Sequence, residues 1–215
     1  MKFACITLMI LLCLSCKDDK SSEEYHYEAN ILEQAEKYSE AILLLDTAIM
    51  KDPHNVKALL DRAVDKSLIE NYNAAIIDYS LVIRLDPDNT LAFLNRGKNK
   101  KRIQNYTGAL KDFNRAISLK GGETLYIDKI ENTYIDNGFE FDVAMEEIRY
   151  ERGLVYYELD SLKKAFDDFS FSIGQNYSLS ESYYWRGIIY LRFDMKPEAC
   201  SDLYKARDLG DPDAQ

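Results

Sequence analysis

The chain has 215 residues, 30% of them charged, and a formal net charge of −10. That acidity argues against a nucleic-acid or anionic-membrane partner held by bulk charge. Its two histidines, His26 and His54, have no cysteine or carboxylate spacing suited to a metal, and no glycine-rich phosphate loop, nucleophile elbow or HExxH occurs; neither an enzyme nor a cofactor is expected.

Residues 1–15 open with Lys2 and continue as an apolar run too short to span a membrane comfortably, which reads as a secretion signal peptide. The ending Leu14-Ser15-Cys16 resembles a bacterial lipoprotein signal, with Cys13 where leucine is usual. The resemblance implies cleavage before Cys16 and its acylation, which would join the protein to a membrane through an N-terminal lipid. A simple cleaved signal and an uncleaved anchor are the alternatives. Residues 16–24 are polar and charged, with nothing to bury, and read as a flexible tether. Lys17-Asp18-Asp19 also resembles a surface-export signal of Gram-negative lipoproteins, so the expected location is the bacterial cell envelope at the outer membrane, facing either the periplasm or the outside. Without Lys2 the mature chain carries −11, and it keeps only Cys16 and Cys200, which excludes a disulfide framework. Cys200 directly follows Ala199 and is expected to face the core as a small hydrophobe.

From residue 22 the chain repeats. Steps of 34 residues separate Ala41, Ala75 and Ala109, and again Ala165 and Ala199; Tyr38, Tyr72 and Tyr106 keep the step, as do Pro53 and Pro87. Gly97, Gly153 and Gly187 join the phase once an insertion of 22 residues is allowed between units three and four. Within a unit, Leu59 with Ala63 and Ala75 with Tyr79 and Val82 fall at helical spacing, so each unit predicts two helices. Glu70-Asn71 marks the turn between them, and Asp86-Pro87 stops the second, because a residue before proline is pushed out of the helical region. A helix pair of this size cannot bury its own stripe alone, so units must stack.

On these columns the chain resembles the tetratricopeptide repeat family. Five units run over 22–55, 56–89, 90–123, 146–179 and 180–213, so units one to three fill 22–123, an insertion fills 124–145, and units four and five fill 146–215. Unit one holds Ala29 at its glycine column, and unit four holds Tyr177 in place of the terminal proline. The resemblance implies an all-α, right-handed superhelical solenoid.

Two further columns recur. Arg62, Arg96, Arg152 and Arg186 each precede Asp78, Asp112, Asp168 and Asp202 by 16 residues, while unit one has Glu28 and Leu44 instead. In an antiparallel helix pair such positions sit at one height. They are expected to form ion pairs within a unit or between one unit's aspartate and the next unit's arginine, the alternative being a solvated charged face.

The stretch from Gly121-Gly122 to residue 145 breaks the period. Asp136-Asn137-Gly138 is a turn signal and Phe139 to Val143 alternates as a strand does, so a hairpin is one reading; a backward extension of the next helix from Val143 is the other. The family's concave face is lined by the first helix of each unit. The resemblance therefore implies a groove containing Leu60, Val64, Leu94, Lys98, Tyr150, Leu154, Tyr157, Tyr184, Ile188 and Leu191, with Trp185 at its edge, binding a protein or peptide segment; alternatively neighbouring units pack over these side chains. Lys98, Lys100, Lys101 and Arg102 suit a helix C-terminus. The function expected is a membrane-anchored interaction scaffold, with a solute- or glycan-binding surface lipoprotein as the alternative. Self-association through the C-terminal edge is a third reading, since Asp211-Pro212 looks like the opening of a further helix.

Overall fold

A computed structural model describes residues 20–120 and 143–214. They form ten α-helices: α1 Ser22–Gln34, α2 Tyr38–Lys51, α3 Val56–Leu68, α4 Tyr72–Leu85, α5 Thr90–Arg102, α6 Tyr106–Lys120, α7 Met145–Glu158, α8 Leu162–Gly174, α9 Leu179–Arg192 and α10 Lys196–Asp208, followed by a 3₁₀ turn at Pro212–Ala214. No strand occurs among the described residues.

Local chemistry sets the helix ends. Asn55 and Asn89, one repeat apart, cap α3 and α5 by accepting from the backbone N–H of Ala58 and Ala92 at 3.0 and 2.8 Å. Asp52 and Asp86 are extended, with φ of −136° and −132°, as the proline after each requires. Between the two helices of every unit one residue is left-handed: Glu36, Glu70, Gln104, Asp160 and Asp194, at φ of 54° to 62°. The chain thereby reverses within three residues and lays the second helix antiparallel on the first.

Each helix packs on the next, and the interior runs from unit to unit. Ala29, Ala41, Leu45, Ala48 and Ala58 form one buried cluster, and Leu59, Ala63, Ala75, Tyr79, Val82 and Ala92 the next. In both, an alanine from the following unit's first helix completes the cluster, so no unit closes its core alone. The glycine column marks the closest helix approach: a Cβ at Gly97 would lie 2.6 Å from a ring carbon of Phe113.

Side-chain bonds also join first helix to first helix. His26 of α1 meets Asp61 of α3 at 2.5 Å, Ser67 of α3 donates to Asn99 of α5 at 3.0 Å, and Lys98 and Lys101 of α5 reach Glu147 and Glu151 of α7 at 2.5 and 2.6 Å. The first helices therefore form one contiguous layer.

Three expectations change. Residues 22–24, assigned to the tether as well as to unit one, are helical: Ser21 and Glu24 form a reciprocal capping box, and the Ser22 hydroxyl donates to the Ala48 carbonyl at 2.9 Å, which ties the chain down there. Cys200 is exposed; it stands about 100° around α10 from the buried Ala199, off the packing stripe. A 3₁₀ turn opens at Pro212, directly after Asp211. After the insertion the helix begins at Met145, while Val143 is buried in the core and not in a strand. Residues 121–142, with most of the hairpin reading, and Cys16 lie outside the described residues.

Candidate functional site: a charged ladder behind an aromatic face

The four recurrent arginines each grip their own unit's aspartate with two guanidinium nitrogens. Nε and Nη2 of Arg62 lie 2.9 and 2.7 Å from the Asp78 carboxylate, and those of Arg96 stand at the same distances from Asp112. Arg152 holds Asp168 at 2.8 Å through both nitrogens, and Arg186 holds Asp202 at 2.6 and 3.1 Å. All four carboxylates are buried, so the planar fork matters: it satisfies both oxygens where water cannot.

The third nitrogen, Nη1, reaches back to the preceding unit. Arg62 donates to Asp46 at 2.6 Å, Arg96 to Ser80 at 3.0 Å, Arg152 to Asn114 at 2.7 Å and Arg186 to Ser170 at 3.3 Å. This acceptor column keeps the 34-residue phase, but its residue type varies, so identity alone does not reveal it in the sequence. Each arginine thus bonds within its unit and across the joint below. The ladder begins where Asp46 of unit one serves as acceptor, and Tyr204 stands at the same phase in unit five.

A second cation joins three of the four rungs: Lys66 at Asp78 (2.7 Å), Lys100 at Asp112 (2.8 Å) and Arg149 at Asp168 (2.7 Å). Burial works against the charge of Arg62, Arg152 and Arg186, and hydrogen bonds to their aspartates more than offset it, leaving each pKa raised. The rungs are buried and repeated, which suits a register device.

The first-helix face is uneven. Leu60 and Val64 are half-buried against the core of unit two. Leu94 does not line a groove; it is 1% exposed, in a cluster with Val143 and Ile148, because the chain returning from the insertion contributes its own apolar side chain to that core. Lys98 is spent on Glu147. The face opens again in units four and five, where Tyr150, Leu154, Tyr157 and Trp185 are half-buried against the core of Ala165, Phe169 and Ile189. Tyr157 and Trp185 rings are 4.9 Å apart, Tyr184 stands edge-on to Trp185 at 5.3 Å, and Tyr150 meets both Phe169 and Tyr177 at 5.9 Å. Ile188 is half-buried and Leu191 is 46% exposed. The result is a connected aromatic cluster across α7 and α9 that takes in the predicted Tyr150, Tyr157, Tyr184 and Trp185 together with Tyr177 and Phe169, which lie outside the positions named from sequence. Burial raises the hydroxyl pKa of Tyr150, helped by Glu181 and Glu151, and pushes Tyr177 up to about 12, so both remain neutral donors.

Among the described residues no group of three or more histidine, cysteine or acidic side chains is placed to hold a metal, and no helix is long and apolar enough to cross a membrane. The fold is that of a tetratricopeptide-type solenoid. Solved structures similar to it include MamA of Desulfovibrio magneticus (residues 41 to its end; 15% identity, TM-score 0.72, 87% of this chain and 94% of that one). They also include YrrB, described as a tetratricopeptide repeat protein with an unusual peptide-binding site (18%, 0.69, 91% and 90%), and a tetratricopeptide repeat protein of Parabacteroides merdae (16%, 0.67, 94% and 70%). No protein-family model and no curated protein matches the sequence.

Proposed function

We propose that this chain is a non-enzymatic protein-interaction scaffold that takes a peptide or protein segment along its first-helix face, chiefly at α7 and α9, and is held to a bacterial envelope membrane through acylated Cys16. The observation that carries the reading is the aromatic surface of Tyr150, Tyr157, Tyr184 and Trp185, continued by the exposed Leu191. Aromatic rings offer rigid contact area at small entropic cost, and tyrosine hydroxyls add donors that orient a backbone. Stacked units suit an extended ligand because their binding surface is itself extended. The peptide-binding description of YrrB, a neighbour in fold, supports the same reading.

A photo-crosslinking residue at Leu191, in the full chain within its own envelope, is expected to capture a discrete protein. The same residue at Lys163, on the exposed side of α8, is expected to capture none. Equal capture from both positions overturns the proposal. Tyr157→Ala should lower capture at Leu191 roughly tenfold, the effect of losing one aromatic anchor. For the anchor, Cys16→Ser is expected to abolish fatty-acid incorporation; unchanged incorporation refutes acylation at that cysteine.

A further inference from the structure

Unit one exposes a face that every other unit hides. Glu24 is exposed, while Ala58, Ala92, Ile148 and Ser182 at its phase are fully buried. Ile31 is 50% exposed, while Asp65, Asn99, Val155 and Ile189 at its phase are buried. These positions face the preceding unit: Ala58, Ala92 and Ile148 complete clusters built on α2, α4 and α6. At the other end, α10 shows what the earlier second helices give to the unit after them. Ile49, Ile83 and Ile117 pack on those same clusters, and the unit-five residue at their phase is the exposed Arg207. Cys200 is exposed where Ile42, Ile76, Leu110 and Phe166 are half-buried.

We propose that these two ends join copies of the chain head to tail, α1 of one copy stacking on α10 of another as each unit stacks on its predecessor. The ends match in chemistry. Where isoleucine meets alanine or isoleucine at an internal joint, Arg207 faces Glu24, opposite in charge. Val155 shares its cluster with Phe113, and the ends offer Ile31 and Leu203 at those phases. The ladder continues with donor and acceptor exchanged: Glu28 holds the arginine phase and Tyr204, 58% exposed, the phase of its third acceptor, so the tyrosine hydroxyl donates to the carboxylate. Within one copy Arg207 meets Asp208 at 2.8 Å and Glu28 meets Lys20 at 2.6 Å, solvent-exposed pairs that a partner displaces readily. Head and tail are different surfaces, so each joint leaves a free end on both sides and the contact repeats into an open row, not a closed dimer. Neither the face of α7 and α9 nor acylated Cys16 takes part, so peptide capture at Leu191 and this stacking fail separately.

The test is sedimentation equilibrium of the full chain with detergent micelles in excess, for the natural protein, Ile31→Lys, Arg207→Glu and an equal mixture of the two variants. Both substitutions lie at exposed positions. The natural chain is expected to reach a weight-average mass at least about threefold the monomer's as concentration rises, each variant alone to stay monomeric, and the mixture to stop at about twofold, since one intact head then meets one intact tail. A monomeric natural chain, an Ile31→Lys variant that still associates, or a mixture that stays monomeric overturns the proposal. Should either variant not fold, Ile31→Cys joined to Cys200 by a short bismaleimide decides: a ladder of dimers and trimers that Cys200→Ser abolishes is expected, and no ladder, or one that survives Cys200→Ser, overturns it.

Discussion

At the residue scale, the decisive feature is a buried carboxylate with an arginine fork. Asp112 is 3% exposed, and Arg96 supplies two of its hydrogen bonds while Lys100 supplies a further contact at 2.8 Å. Arg96→Ala leaves that carboxylate short of donors in a place water does not reach. It is expected to cost about 3 kcal/mol in urea unfolding. Arg96→Ala with Asp112→Ala should be less damaging than the sum of the two single changes by about 2 kcal/mol, because the second substitution removes the charge that the first one strands. Strict additivity would mean that the pair does not act as a unit. The sequence shows the Arg and Asp columns plainly, since both keep identity and phase. It conceals their third partner, because Asp46, Ser80, Asn114 and Ser170 share only the ability to accept a hydrogen bond.

At the element scale, the turn inside each unit is set by one left-handed residue, and in all five described turns that residue has a side chain. Glu70 sits at φ 62° and is exposed, so its conformation can be probed without disturbing the core. The left-handed region costs an ordinary residue about 1–2 kcal/mol, and glycine escapes this at an entropic cost of about 0.5–1 kcal/mol. Glu70→Gly is accordingly expected to raise stability by about 0.5 kcal/mol, and Glu70→Val to lower it by about 1 kcal/mol, since a β-branched side chain is least tolerant there. A destabilised glycine variant would show that the Glu70 side chain makes a contact worth more than the backbone strain. The polar pair Glu70-Asn71 announces the turn from sequence, yet without a glycine nothing in its composition announces the left-handed geometry. Periodicity requires that geometry: the second helix must return antiparallel within three residues.

At the scale of the whole molecule, contacts run between neighbouring helices and neighbouring units, so stability is a sum along a line rather than a single all-or-none term. Unit five differs from the units bearing the other three rungs in that, among the described residues, Arg186 is the one cation in ion-pair contact with its buried aspartate, and it lies at the end of the described stack. Asp202→Ala should therefore unfold α9 and α10 at lower denaturant than α1 to α4. By hydrogen exchange the protection of α9 and α10 should drop at least tenfold, with less than twofold change in α3 and α4. A uniform loss across all units would show instead that the array is one cooperative block.

What the sequence determined by itself was the period, and with it the helix pairs, their turns, the stacked architecture and the levels at which arginine meets aspartate. Those follow from identities recurring at a constant step, which survives because every unit must solve the same packing problem. Only the tertiary structure decided what each face exposes. Leu94, Tyr150 and Tyr184 occupy equivalent phases, yet Leu94 is sealed in a core reached by Val143, while Tyr150 and Tyr184 are only half-buried. Exposure and proximity depend on what the neighbouring unit and the returning insertion bring against a position, and phase within a repeat does not carry that information.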